Sequence, residues 1–583
     1  MTYVIGIHDG HNSSIALFKE NDLLFSISEE RFTRKKNQGG FPGKSLEYVL
    51  SNFKLTLDDI DLFAIAGTVT PSKAWIEKDA LLARYKEQSD FKYTRRAKFR
   101  ENSLVVKLKS LIKKAEVAGL GRFVNTPLAS VSMNKILFVD HHECHAAAAY
   151  YSSPSRHAGK RLVITCDGSG DGLCASVSVA ENDEIRRFIT IGNNESYAAL
   201  YSRTTFLTGM VPLEHEYKLM GLAPYGNADR ARHITKALKA LFVLSEEEGI
   251  WHRRAGLPPT RLLGRKLEEI YRHSRFDDIA LGLQTFVEEF TLDWIRSCVT
   301  KFGIRDICLS GGLFMNVKLN QVLLESDFVD SLFVMPSASD ESNCIGAGAM
   351  GCKSIGISPI PAGLKNLYLG REFSDDEIST AIDSFPFSTK TTVVKSDNIS
   401  LNVADCLSKG NVVANFQGRE EFGARALGNR SILCDASNFN NINIINKMIK
   451  QRDFWMPFAC SMLRESLVEN VSLLKDYDPR FMIMTFNANR ESFHKFIAGT
   501  HPNDMTTRPQ AVDECENAIY HNIIKRFSEI NQSPGVILNT SFNLHGFPIC
   551  SAPVEALEVF DQSGLKFLAI GSYFLTKSVE VSV

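Results

Sequence analysis

The sequence has no apolar run approaching the roughly 18 to 20 residues that span a bilayer, which excludes a helical membrane anchor within it. Its 12 cysteines over 583 residues form no CxxC pair and no tight framework, so a disulfide-stapled secreted domain is not indicated. It also lacks an excess of charge. With 66 Lys+Arg against 67 Asp+Glu the net charge is -1, and no whole-molecule field exists to hold nucleic acid or an anionic membrane. Any anion binding has to be local. Low-complexity tracts and 20 to 50-residue repeats are missing as well. The opening "MTYVIGIHDG" reads as a strand rather than a charged and apolar leader, and the expectation is a reduced, cytoplasmic protein.

What is present is ample core material, 44% apolar residues, enough for two to four domains. "YVIGIHDG", "ILFVDHH", "LVITCDGSGDG" and "DICLSGG" are short β-branched runs ending in small or acidic turns, the pattern of buried strands in an α/β fold. "SPIPAG", Ser358 to Gly363, reads as a linker, giving an N-terminal domain over 1–362 and a second over 363–583. In the second, Ser374 caps an expected helix and "GNVVANFQG" and "GVILNTSFN" are expected strands. The basic stretch Thr94 to Lys114 reads as a solvated helix face, because no aromatic stacking platform accompanies it.

The chemistry concentrates around "DHHECHAAAAYYSSP", residues 140 to 154. If it is helical, His141 and His145 share a face while His142 points away. That pair suits a shared metal ion and equally suits two hydrogen-bonded core histidines. Asp167 in "TCDGSGDG" and Asp340 in "SASDES" are candidate oxygen ligands or simple helix caps. Asp9 in "HDGHNSS" lies in a similar turn, and with "LSGGLFMN", Ser310 to Asn316, these loops could admit phosphate against backbone N–H groups.

The set "GIHDGHNSSIAL", "DHHECHAAAAY", "TCDGSGDG", "EYKLMGLAPYG", "LSGGLFMNVKLN" and "DESNCIGAG" resembles the O-carbamoyltransferases of antibiotic, Nod-factor and surface-glycan biosynthesis, across nearly the whole chain. The resemblance implies an actin-like ATPase-fold N-terminal domain, similar to the universal tRNA threonylcarbamoyl transferase, with Fe2+ or another divalent metal held by His141, His145, Asp340 and Asp167. It implies Asp9 and His11 as the groups that position and deprotonate an acceptor hydroxyl, and Lys218, Gly311, Gly312 and Asn316 as substrate or nucleotide contacts.

"GREEFGARALGNRSIL", "IKQRDFWMPFACSML", "HPNDMTTRPQAV" and "NTSFNLHGFPI" resemble the family's α/β YrdC-like second domain. Arg419, Arg425, Arg430, Lys450, Arg452 and Arg508 sit in small, aromatic and amide-rich segments rather than in charge runs, as a convergent anion site requires. The resemblance assigns Arg425, Lys450, Thr506 and Arg508 to a site that makes carbamoyl-adenylate from carbamoyl phosphate and ATP with Mg2+. A sugar-containing hydroxyl is the implied acceptor and a homodimer the implied assembly, with no nucleic acid or membrane partner. Met456, Asp504, Phe547 and Cys460 depart from many relatives. An actin-fold small-molecule kinase and a tRNA threonylcarbamoyl-type transferase are the alternatives; the first leaves the paired histidines and second basic domain unused, and the near-neutral charge weighs against the second. The loops expected to shape the acceptor pocket are Asn193 to Thr208 and Lys78 to Thr126.

Overall fold

The structure, a computed structural model, describes residues 1–69, 71, 78–90 and 125–578. The basic stretch Thr94 to Lys114 lies outside the described residues, as does most of the Lys78 to Thr126 segment. The chain forms two compact units. The first holds Met1–Glu29 and Asn37–Leu364, the second Glu30–Lys36 and Lys365–Val583. Glu30–Lys36, which the sequence reading places with the N-terminal domain, packs with the second unit instead: Arg31 and Arg34 reach Glu420 and Glu555 there. Nothing in the local sequence marks that segment as leaving its neighbours.

The first unit contains the same sheet twice. Strands β1 (Tyr3–His8), β2 (Ser14–Lys19), β3 (Asp22–Ser28), β4 (Leu62–Ala66) and β5 (Ile136–Val139) lie in the order β3-β2-β1-β4-β5. A hairpin, β9 (Phe242–Ser245) and β10 (Ile250–Arg253), stands outside the sheets. In the second copy β6 (Arg161–Gly170), β7 (Leu173–Glu181), β8 (Glu184–Gly192), β11 (Asp306–Ser310) and β12 (Ser331–Val334) lie in the order β8-β7-β6-β11-β12. In each copy the first three strands pair antiparallel and the last two join parallel. This duplicated order is the actin-like α/β fold that the resemblance implies.

Between the copies run two helices of small residues. The histidine helix, His141–Ser152, buries Ala146 to Ala149 completely or nearly so. The helix Asn343–Ser354 lies against it, and a Cβ on Gly346 would sit 1.8 Å from the Cys144 carbonyl oxygen. On its other side, a Cβ on Gly6 of β1 would meet the Cys344 carbonyl at 1.9 Å. Gly346 and Gly6 are thus what lets the backbones touch. The stretch Asn193 to Thr208, expected as a loop, is largely helical over Ala198–Leu207, where its buried Leu200 and Tyr201 supply an inward face.

The second unit is α/β as expected. Its mixed sheet has eight strands, ordered Thr391–Lys395, Tyr573–Lys577, Phe567–Ile570, Val413–Phe416, Arg430–Asp435, Val536–Ser541, Ala459–Leu463 and Pro509–Val512. Ser374 forms a capping box with Glu377 at the start of Asp375–Ser384. All 12 cysteines are free, and all but Cys515 are buried. No helix among the described residues is long and apolar enough to cross a membrane.

Because a β-carbon at Gly346 can be accommodated only by parting the two helices, Gly346→Ala is expected to destabilise the first unit by about 1–3 kcal/mol. Gly192, which faces open space, serves as the control: Gly192→Ala should stay within about 0.5 kcal/mol in the same denaturant titration.

Candidate active sites

Each donor of the first site comes from a different structural argument. Asp140 caps the histidine helix by accepting from the Glu143 N–H at 3.0 Å, and Asp171 accepts the N–H groups of His141, Thr68 and Val69 at 2.9, 2.8 and 3.0 Å. Together they fix the first turn. His141 and His145 then face the same way, while His142 turns aside and bonds the Thr165 hydroxyl at 2.8 Å. Asp167 projects from the end of β6 and Asp340 from the turn before Asn343–Ser354. Gly311, at φ +106, lets the loop after β11 pass over the Cys166 carbonyl, which a Cβ would meet at 2.2 Å; one on Gly312 would lie 2.9 Å from Asp167 Oδ1.

Among the described residues, the ligand atoms of His141, His145, Asp167 and Asp340 all lie within 4.8 Å of one another. His141 Nε2 is 3.2 Å from Asp167 and 3.5 Å from Asp340; His145 Nε2 is 3.8 and 3.4 Å from the same pair. Burial opposes charge on His141, but Asp340 and Asp167 outweigh it and hold the imidazole up at about 9. Burial likewise opposes charge on His145, yet Asp167 and Asp340 raise it. Asp167, against the effect of its own burial, is held well below the carboxylate range by the two histidines. The site thus favours positive charge. Asp340 Oδ1 is buried and accepts no hydrogen bond among the described residues. Two imidazoles, two carboxylates and an oxygen without a donor fit a divalent cation.

Asp9 is buried at the end of β1 and His11 half-buried in the turn after it. His8, which the sequence reading did not single out, ties them to the cluster: its Nε2 lies 2.9 Å from the His11 carbonyl oxygen and 3.9 Å from Asp340. Asn316 caps Val317–Glu325 and exchanges two hydrogen bonds with Gln284, so its amide is engaged in holding the loop. Lys218 is half-buried in the first turn of Glu216–Leu222.

The second site gathers cations. Lys450 ends a π-helical turn, Asn446–Lys450, and its buried ammonium donates to the Ser541 hydroxyl at 3.0 Å and to Asn543 Oδ1 at 2.7 Å. Burial pushes it well below the lysine range, and Arg452 and Lys36 push further. Arg508 is depressed by burial and then by Arg425 and Arg452. No carboxylate among the described residues comes within ion-pair range of Lys450 or Arg508. Thr506 lies two residues before Arg508, its side chain donating to Asp504 at 2.8 Å.

Two of the six basic residues do something else. Arg430 is fully buried over the Phe416 ring and donates to the carbonyls of Gln417, Asn429, Arg371 and Gly418. Arg419 donates to the Gly370 and Leu369 carbonyls. Both hold loops. Lys36 is the cation that the sequence reading missed; the run "RKKN" was its only signal.

Two family models match the chain: the carbamoyltransferase N-terminus over residues 3–349 and the carbamoyltransferase C-terminus over residues 404–577. The chain belongs to the carbamoyltransferase family. This carbamoyltransferase is 29% identical to nodulation protein NolNO of Sinorhizobium fredii over 97% of its own length and 79% of that protein. It is 30% identical to nodulation protein NolO of Bradyrhizobium diazoefficiens, over 75% of its length and 79% of that chain. An uncharacterized protein of Synechocystis sp. is 29% identical over 100% of this chain and 97% of its own.

Arg508 tests the cation cluster of the carbamoyltransferase. Arg508→Met removes a half-buried charge that has no carboxylate to leave behind, so the thermal midpoint should hold or rise. Pyrophosphate binding followed by calorimetry should weaken at least about tenfold, the loss expected for one or two charge-assisted hydrogen bonds.

Proposed function

We propose that this carbamoyltransferase is ATP-dependent and divides its reaction between the two units. In the second, carbamoyl phosphate is hydrolysed to carbamate and phosphate; the carbamate oxygen attacks the α-phosphorus of ATP, forming carbamoyl-adenylate and releasing pyrophosphate. In the first, an acceptor hydroxyl attacks the carbamoyl carbon, giving the O-carbamoyl product and AMP. The observation that carries this reading is the pair Lys450, which is buried, and Arg508, which is half-buried, two cations with no carboxylate partner among the described residues. Such charges are stable beside an anion, and in-line attack on phosphorus spreads negative charge over oxygens that need them. Arg425 lies near enough to depress Arg508 and joins the same cluster, while Thr506 opens the short strand Thr506–Thr507 that ends just before Arg508.

In the first unit, a divalent metal, iron by the family resemblance, held by His141, His145, Asp167 and Asp340 would polarise the carbamoyl oxygen. Asp9 and His11 orient the acceptor hydroxyl and take its proton. Gly311 and Gly312 keep backbone near Asp167 free of side chain, leaving room for phosphate. The acceptor we assign is a sugar-containing hydroxyl, following the resemblance to glycan-modifying members of the family.

The test is product analysis with purified protein, ATP, carbamoyl phosphate and Fe2+ but no acceptor. Pyrophosphate release that requires both substrates and disappears in Lys450→Ala is the expected result. Conversion of ATP to ADP would favour the kinase reading instead. His141→Ala combined with His145→Ala should keep the pyrophosphate release and lose carbamoylation across a panel of sugar acceptors read by mass spectrometry; retained transfer would remove the metal's role.

A further inference from the structure

Asn343 opens the helix that packs against the histidine helix, and its side chain is fully buried. Its Nδ2 lies 3.3 Å from His145 Nε2, whereas its Oδ1 is buried with no hydrogen-bond partner among the described residues. A buried carbonyl oxygen without a donor is unfavourable and calls for an explanation. On the far side of the ring, His145 Nδ1 is 3.2 Å from the Ser310 hydroxyl, which points toward the Ala338 carbonyl at 3.5 Å. That hydroxyl therefore accepts, Nδ1 carries the hydrogen, and Nε2 presents its lone pair to the cluster. Once the lone pair is given to a cation, an amide NH2 beside it would turn its hydrogens against positive charge. A half-turn about the terminal bond exchanges the amide oxygen and nitrogen with almost no change of shape.

After that half-turn Oδ1 stands where Nδ2 is now. The 3.3 Å spacing to His145 Nε2 falls within the 3.2–3.8 Å that separates the imidazole nitrogens from the carboxylate oxygens of the cluster. Donors sharing one ion at about 2.0–2.2 Å are separated by such distances. We propose that Asn343 is an additional oxygen ligand, its amide carbonyl turned to the metal, so that the protein supplies two nitrogens and three oxygens. This rests on the metal reading given above. It also deepens it: a fifth protein donor of oxygen type disfavours a closed tetrahedral zinc site and suits ions that accept five or six ligands.

Co2+ titration of the full-length protein, followed by calorimetry and visible absorption, tests it on the wild type, Asn343→Leu and Asn343→Asp. Asn343→Leu should lose at least tenfold in affinity and change the absorption spectrum, while Asn343→Asp, which keeps an oxygen in place, should hold at least wild-type affinity. An Asn343→Leu protein with unchanged affinity and spectrum overturns the proposal and leaves the four-residue site standing. A wild type that takes up no Co2+ overturns the metal reading and this inference together. Should Asn343→Leu not fold, a crystal structure of the Co2+-loaded wild type decides: an amide oxygen within about 2.0–2.4 Å of the ion supports it, and an amide turned away sinks it.

Discussion

The first unit depends on one close approach, the Gly346 backbone against the Cys144 carbonyl. Two helices can come this near only where one of them has no side chain at the crossing, and the run Ala146 to Ala149 keeps the side chains small along the rest of the histidine helix. The consequence is chemical. His141 and His145 belong to one of these helices, Asp340 and Asn343 to the start of the other, and Asp167 to the strand beneath, so the helix separation sets the distances among all five. A methyl group at the crossing would be felt first as lost packing and then as a widened donor set, because protein interiors do not deform continuously.

The two sites solve opposite electrostatic problems. In the first unit Asp167 and Asp340 face two imidazoles and raise their affinity for protons, the signature of a place that stabilises a cation. In the second, Lys450 and Arg508 are disfavoured by burial and by other cations, the signature of a place that stabilises an anion. Neither field is visible in the chain's net charge of -1, which sums 66 basic and 67 acidic residues. A whole-molecule charge therefore says little about a protein that keeps its fields local.

This explains which parts were legible beforehand. The histidine pair could be read because helical periodicity is a local rule, and Asp167 and Asp340 because strand ends followed by small residues have a recognisable composition. By composition alone Arg419 and Arg430 could not be told from Arg425 and Arg508, which only the resemblance set apart; the structure adds that the first two donate to backbone carbonyls. Asp171 escaped notice because its partners, Thr68 and Val69, are some 100 residues away. The duplicated sheet was legible only through the resemblance to an actin-like fold, not as a repeat: each copy is longer than any short repeat, and shared strand order leaves no shared spelling. Lys36 lay in a segment that packs with the second unit, an exchange that no local pattern encodes.

Asp504, which the resemblance marks as a departure, lies beside the cation cluster in sequence without entering it. A carboxylate introduced four residues from Arg508 could neutralise it and blunt the anion site. Instead Asp504 Oδ1 accepts both the N–H and the hydroxyl of Thr506, at 3.1 and 2.8 Å, and faces His501 Nδ1 at 3.4 Å. Met505, at φ +57, makes the tight turn that permits this. The negative charge is held within its own turn, with no ion pair to Arg508 among the described residues. What the substitution does fix is the Thr506 hydroxyl, whose hydrogen is directed to Asp504. With its hydrogen so engaged, the hydroxyl oxygen is left with lone pairs and can only accept from further groups.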